Sequence, residues 1–529
     1  MVKLDVSNAF NSIRRDHLLE CCRELVPFAY PLVHLSYASP SILMFDDVPI
    51  SSATGVQQGD PLGPVLFALG VNSIAHSVRS PVNIWYLDDA TICGPPDAVF
   101  DDLRSILPSL SDIGLSINAN KSEIVNIALN PSDFTASIST CRGILSDVRI
   151  TDKSNLTILG APMGPSALEC SLAGKISHLS KMIDKLKVIE PHVAFFLLRN
   201  HFSVSKILYT LRCAPCFQRG DLLSDLDNIL RLGTSSLCNL AFDDPGWTQA
   251  SLPVRWGGLG LRSYSDLALP AFLSAHHASR TLSDIVLRNL PERKLSEVYS
   301  AARGRWEARF GSKLPNSQSV LRQWDEISCQ AIFEGLLPVS NQHRVACLRA
   351  GRCESSGVWL KALPLPSIGN LLDKECLRIA ISLRVGLKIC QSHKCRCGGT
   401  VDEYGLHPLA CRRSAGRAPR HSELNSVVQR ALASAGIPSI LEPLGRGLSC
   451  YSNMRILTVT YISPSSFQEG HTSSSYFHFL HSNLHDNSLV ADFILDHNLG
   501  QFRERSNAIF RIVMPSLEDF LVTNPKVDL

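Results

Sequence analysis

The tightest constraint in this sequence is a pair of apolar runs that meet at an acidic turn. Val82-Asn83-Ile84-Trp85-Tyr86 leads into Leu87-Asp88-Asp89-Ala90 and then Thr91-Ile92-Cys93. Short β-branched and aromatic runs on either side of such a turn predict a β-hairpin with the aspartate pair at its tip. A second strand is predicted at Val2-Lys3-Leu4-Asp5-Val6, again carrying an aspartate, with a helix beginning at Ser7-Asn8 and a polar break at Asp16. Between the two lies the glycine-punctuated loop from Gly55 to Gly63, followed by a helix with Pro64 in its first turn.

Each segment alone has a plain structural explanation: a helix cap, a tight loop, a turn. Taken together and in this order they point to phosphoryl transfer. Joining a nucleotide to a strand builds negative charge on the attacking and leaving oxygens, and two divalent cations about 3.5–4 Å apart stabilise both ends. Magnesium takes hard carboxylate oxygens. Asp5 on one strand end, with Asp88 and Asp89 on a hairpin beside it, supplies such a set. Asp5 and Asp88 are expected to bridge the ions and Asp89 to support them.

The three segments Leu4-Asp5-Val6-Ser7-Asn8-Ala9-Phe10, Gln58-Gly59-Asp60-Pro61-Leu62 and Tyr86-Leu87-Asp88-Asp89 resemble motifs A, B and C of the reverse transcriptases. The form of the second is similar to the non-LTR retrotransposon branch with a restriction-like endonuclease. Gly114-Leu115-Ser116-Ile117-Asn118 with Lys121-Ser122-Glu123 resembles motif D, and Leu159-Gly160-Ala161-Pro162 resembles motif E, the primer grip. The resemblance covers about the first 165 residues. It implies an α+β fold: a polymerase palm on an antiparallel sheet at 1–165, a helical thumb at 166–305, a helical linker at 306–389, a small zinc module at 390–445 and an unassigned tail at 446–529.

The resemblance also implies roles. Asp5, Asp88 and Asp89 match the metal-binding aspartates, and Phe10 matches the bulky gate against a ribose 2′-OH. Gln58 and Gly59 match the nucleotide-pocket loop, and Lys121 matches a basic residue near the leaving phosphates. Asn11 departs from the Asp usual after the aromatic, at a position that is not a metal ligand. Two Mg²⁺ ions, dNTPs, an RNA template and a DNA primer or target are the expected cofactors and partners. The family places a fingers subdomain before motif A, whereas motif A here starts at the first residue. The expectation is therefore a truncated, weakly active or inactive polymerase. An RNA-dependent RNA polymerase and a non-catalytic nucleic-acid-binding remnant of a retroelement are the rival readings. Phe10 speaks against the first and the aspartates against the second.

A second constellation is Cys395-x-Cys397-x9-His407-x3-Cys411. Three thiols and an imidazole suit tetrahedral structural zinc, with Cys390, His393 and His421 as alternative ligands. From Arg344 to Glu423 there are 14 Lys and Arg against 6 Asp and Glu, a local net of +8 in a chain whose overall net is +3. Arg412, Arg413, Arg417 and Arg420 follow the Cys/His segment and are expected to touch phosphate. The segment resembles the Cys/His module ahead of the endonuclease in site-specific non-LTR elements. After Glu442 no Pro-Asp…Asp/Glu-x-Lys pattern is found, so no nuclease activity is expected. Arg255-Trp256-Gly257-Gly258-Leu259-Gly260-Leu261 reads as a turn. With 17 scattered cysteines, no leader pattern and no long apolar run, the chain is expected to be soluble and intracellular, in nucleus or cytoplasm, with no membrane partner.

Overall fold

A computed structural model describes residues 1–128, 130–286, 297–353, 355–411 and Arg413. Beyond these it describes Gln429 and the backbone of three strands, Ser439–Leu441, Leu457–Tyr461 and Ser475–Phe479, which pair antiparallel in that order. Arg412, Arg417, Arg420 and His421, with the rest of the expected tail, lie outside the described residues. The chain divides into two units. One comprises 1–177, 207–225 and 265–325, the other 178–206, 226–264 and 326–529.

The first unit is built on strand β1 (Val2–Ser7). Its side chains alternate: Val2, Leu4 and Val6 are buried, and Lys3, Asp5 and Ser7 point to the opposite face. Helices α1 (Ala9–Ser12), α2 (Arg15–Leu25) and α3 (Tyr30–Tyr37) follow, then the hairpin β2 (Ser41–Phe45) and β3 (Val48–Ser52). Next come α4 (Gly63–Ser77), β4 (Val82–Tyr86), β5 (Asp89–Cys93), α5 (Pro96–Asp112), β6 (Ser116–Ile117), β7 (Glu123–Val125), α6 (Pro131–Ile144) and β8 (Arg149–Thr151). The sheet runs β4-β5-β1-β7-β8, with β6 also pairing β1. It is antiparallel except between β7 and β8, a parallel pair the sequence reading did not anticipate. Leu18 of α2, Phe67 of α4, and Leu103, Ile106 and Leu110 of α5 pack with the β1 apolar face in one core.

Two local expectations are corrected. The first helix does not run on to Asp16. It stops at Ser12, the backbone is extended at Ile13 and Arg14, and Asp16 sits in the first turn of α2, where a carboxylate suits the helix dipole. The acidic hairpin turns on Leu87 and Asp88, with Leu87 at φ 56, so that Asp89 is already the first residue of β5. The Asp243 side chain accepts the Gly246 N–H and caps the helix Asp244–Ser251, whose first turn holds Pro245. The β2–β3 hairpin was not foreseen at all. Ile42, Leu43, Met44, Phe45, Val48 and Ile50 are all exposed on it, so its sequence shows no buried-face alternation.

Strands β9 (Thr157–Ile158) and β10 (Ala161–Pro162) close around Leu159 and Gly160, both at positive φ as in a type I′ turn. Helix α7 (Pro165–Leu186) then buries Leu172, Leu179, Ile183 and Leu186, the face its periodicity predicts. In the second unit Arg255–Leu261 is a buried turn. A Cβ on Gly257, at φ 84, would meet the Leu348 carbonyl at 2.8 Å, and one on Gly258 would meet the Leu252 carbonyl at 2.0 Å. Arg384 holds this turn, donating to the carbonyls of Gly258 (2.9 Å), Val254 (2.9 Å) and Ser356 (3.0 Å). No described helix is long and apolar enough to cross a membrane.

Candidate active site and metal centre

Asp5 and Asp89 are cross-strand partners on β1 and β5, and Asp88 forms the turn immediately before Asp89. Paired residues on antiparallel strands have Cα atoms about 4.5–5.5 Å apart, so the register alone gathers the carboxylates at one end of the sheet. Partial desolvation, then the charge of Asp88, then that of Asp5, hold the Asp89 carboxyl above the usual carboxylate range, while Lys3 opposes the shift. Lys3 is itself tied to Glu123 across β1 and β7 at 3.1 Å.

The Asp5 backbone is fixed on both sides. Its N–H donates to Ser122 Oγ (3.2 Å), and its carbonyl accepts the Asn118 N–H (2.8 Å). Ser122 is fully buried and passes its own hydroxyl hydrogen to the Asn118 carbonyl at 2.9 Å. Asn8 then turns the chain at φ 47 and ψ 37, a left-handed conformation that asparagine tolerates. The Phe10 ring stacks on buried Phe67 with centroids 4.9 Å apart. An open cleft of about 340 Å³ results, lined by Asp5, Phe10, Asn11, Gln58, Asp88, Asn118 and Lys121 among others. Lys121 Nζ stands 4.0 Å from Asp5 Oδ2 on a largely exposed side chain. Gln58 Nε2 donates to Asn11 Oδ1 at 3.4 Å. Gly59, at φ 94, would have nothing within 4 Å of an added Cβ.

The loop before the second motif touches the first directly. Gly55 N–H donates to the Ile13 carbonyl (2.8 Å) and Val56 N–H to the Phe10 carbonyl (2.7 Å). A Cβ on Gly55 would lie 2.3 Å from the Phe10 carbonyl oxygen. Sequence reasoning missed Arg15, Tyr37, Asn118 and Ser122. Asn118 and Ser122 stood inside a quoted motif without an assigned role, and nothing in the spacing marked Arg15 or Tyr37.

In the second unit Cys395, Cys397, His407 and Cys411 converge, their ligand atoms all within 4.8 Å of one another. Strands β11 (His393–Lys394) and β12 (Thr400–Val401) form a small hairpin, and the helix Leu406–Ala410 returns His407 and Cys411 to it. Cys395 and Cys411 sulfurs are 3.8 Å apart, and Cys397 Sγ is 3.1 Å from His407 Nε2. Two thiolates on a tetrahedral zinc, with bonds near 2.3 Å, are expected about 3.8 Å apart. Gly399 admits this closeness, since a Cβ there would sit 2.7 Å from His407 Cε1. Its N–H donates to Cys397 Sγ at 3.3 Å and lowers that thiol's pKa. Of the alternative ligands, Cys390 Sγ instead donates to the Asp402 carbonyl and His393 Nδ1 faces the Gln391 carbonyl. Of the basic run only Arg413 is described, and it is exposed.

Residues 1–163 match the family model for reverse transcriptase (RNA-dependent DNA polymerase). Over 89% of its length the chain is 23% identical to the retrotransposable element SLACS 132 kDa protein of Trypanosoma brucei gambiense. It spans 37% of that relative's length.

Proposed function

We propose that this chain, whose residues 1–163 match the reverse transcriptase family model and which is similar to a retrotransposable-element protein, copies RNA into DNA at the cleft lined by Asp5 and Asp88, with Asp89 beside it. The observation that carries the reading is the Asp5–Asp89 register with Asp88 in the adjoining turn: Asp5 and Asp88 line the open cleft, and Asp89 stands beside them as the cross-strand partner of Asp5. That set fits magnesium. Asp5 and Asp88 would bridge two ions and Asp89 would support them. Bound there, the ions would offset charge on the attacking primer 3′ oxygen and the departing pyrophosphate.

The remaining residues bind and select. Gln58 and Gly59 present an open backbone edge to the incoming dNTP, and the absence of a Cβ at Gly59 lets it approach closely. Phe10, braced on Phe67, occupies the space a ribose 2′-OH would need. Lys121 places an ammonium beside Asp5, where the leaving phosphates gather. We read α7 and the helices after it as the thumb that follows such a palm. In the second unit Cys395, Cys397, His407 and Cys411 hold one structural zinc, on the strength of the 3.8 Å sulfur spacing. Arg412, Arg413, Arg417 and Arg420, which follow that module in the sequence, would pair with the phosphates of a nucleic acid.

Primer extension on an RNA template with dNTPs and Mg²⁺ tests the polymerase reading. Against the weak or absent activity expected from the sequence, the assembled cleft leads us to expect dNTP incorporation by the wild type, and Asp88→Asn to lose roughly 10³-fold or more in rate. Incorporation that survives Asp88→Asn would sink it, as would a wild type that extends no primer.

A further inference from the structure

The nucleotide-pocket loop is held from behind by a phenol. Tyr37, at the end of α3, is 2% exposed. Its hydroxyl donates to Asp60 Oδ2 at 2.5 Å and accepts the Gln57 N–H at 3.2 Å. Asp60 is spoken for on its other oxygen, which accepts the Leu62 N–H at 2.8 Å and fixes the start of α4. One hydroxyl thus grips the loop on each side of Gln58 and Gly59. We propose that Tyr37 is a positioning residue for the incoming dNTP, setting the height of Gln58 and Gly59 in the cleft through its hydrogen bonds to Asp60 and Gln57.

The surroundings of the ring support this. The Arg15 guanidinium lies over its face at 5.4 Å and is itself buried. Arg15 donates to the Gly55 carbonyl at 2.9 Å and to the Ser52 carbonyl at 2.7 Å, pinning the chain just before the loop. Burial and the Asp60 carboxylate push the Tyr37 phenol up to about 12, so it remains a donor at every pH where the protein is handled. Gln58 and Gly59 make neither of these contacts themselves. They are suspended between the two gripped residues, and Gly59 at φ 94 has the backbone freedom to drift if either grip is lost. No other polar group of Tyr37 explains its burial. A phenol buried with two partners on one loop is a fixed strut for that loop.

The proposal rests on the polymerase reading, and the test separates the two. Wild type, Tyr37→Phe and Asp60→Asn are compared in single-nucleotide incorporation with Mg²⁺, in primer–template binding, and by amide hydrogen exchange. Tyr37→Phe is expected to raise the KM for dNTP by at least roughly fivefold, from loss of a buried charge-assisted hydrogen bond. Primer–template affinity should hold, and the Gln57 amide should exchange faster. Asp60→Asn keeps the side-chain volume and is expected to shift the KM in the same direction. An unchanged dNTP KM in Tyr37→Phe overturns the proposal, whatever the exchange shows. So does an equal loss of affinity for dNTP and primer–template, the mark of a general packing defect. A wild type that incorporates nothing removes the polymerase reading and the nucleotide pocket with it.

Discussion

Asp5 reaches the cleft because β1 alternates and because Asn118 and Ser122 occupy both of its backbone groups. The aspartates were legible in the sequence, since an acidic residue in an otherwise apolar strand and an acidic pair in a turn both stand out. Their support was not: Ser122 and Tyr37 are ordinary residues whose importance comes from where the fold puts them. Gly55 belongs to the same class, as its φ of 69 and its contact with the Phe10 carbonyl exclude any side chain. Gly55→Ala is expected to destabilise the first unit by roughly 3 kcal/mol or more, read as a lowered denaturant midpoint. At Phe10 the effect is on choice. Phe10→Ala opens space beside the cleft, and rNTP incorporation relative to dNTP should rise about tenfold or more in competition assays. An unchanged ratio would remove Phe10 from the selection of sugar.

Strand β1, whose apolar period matches its burial, was readable in advance, and β4 and β5 were legible as apolar runs flanking a turn. The β2–β3 hairpin was not, because its side chains are exposed on both faces and Pro49 lies within it. The glycine-rich turn at 255–261 was read only as a turn, but Arg384 ties the carbonyls of Val254 and Gly258 there to that of Ser356. Burial lowers Arg384 to about 10, which leaves it charged near neutrality. Arg384→Ala strands those carbonyls, and a loss of about 2–4 kcal/mol is expected in urea unfolding of the second unit. The Cys/His spacing was legible because four candidate ligands, three thiols and one imidazole, fall within a short stretch. Elemental analysis is expected to find about one zinc per chain, and close to none in Cys397→Ser. Equal metal in both would remove the site.

At the scale of the molecule, the order of the motifs pointed to the reverse transcriptase match over residues 1–163. Both units draw on stretches separated in sequence, such as 207–225 in the first and 178–206 in the second, and no linear reading of periodicity marks such exchanges. The relative is far longer than this chain, and its similarity runs across both units. The claim under everything else is that Asp5, Asp88 and Asp89 share divalent cations. Mn²⁺ can stand in for Mg²⁺ and be counted by electron paramagnetic resonance in the presence of a non-hydrolysable dNTP and a primer–template. The wild type should bind two ions cooperatively with the nucleotide, and Asp5→Asn and Asp88→Asn should each lose at least one. If both variants titrate like the wild type, the cleft is not a metal site and the account fails.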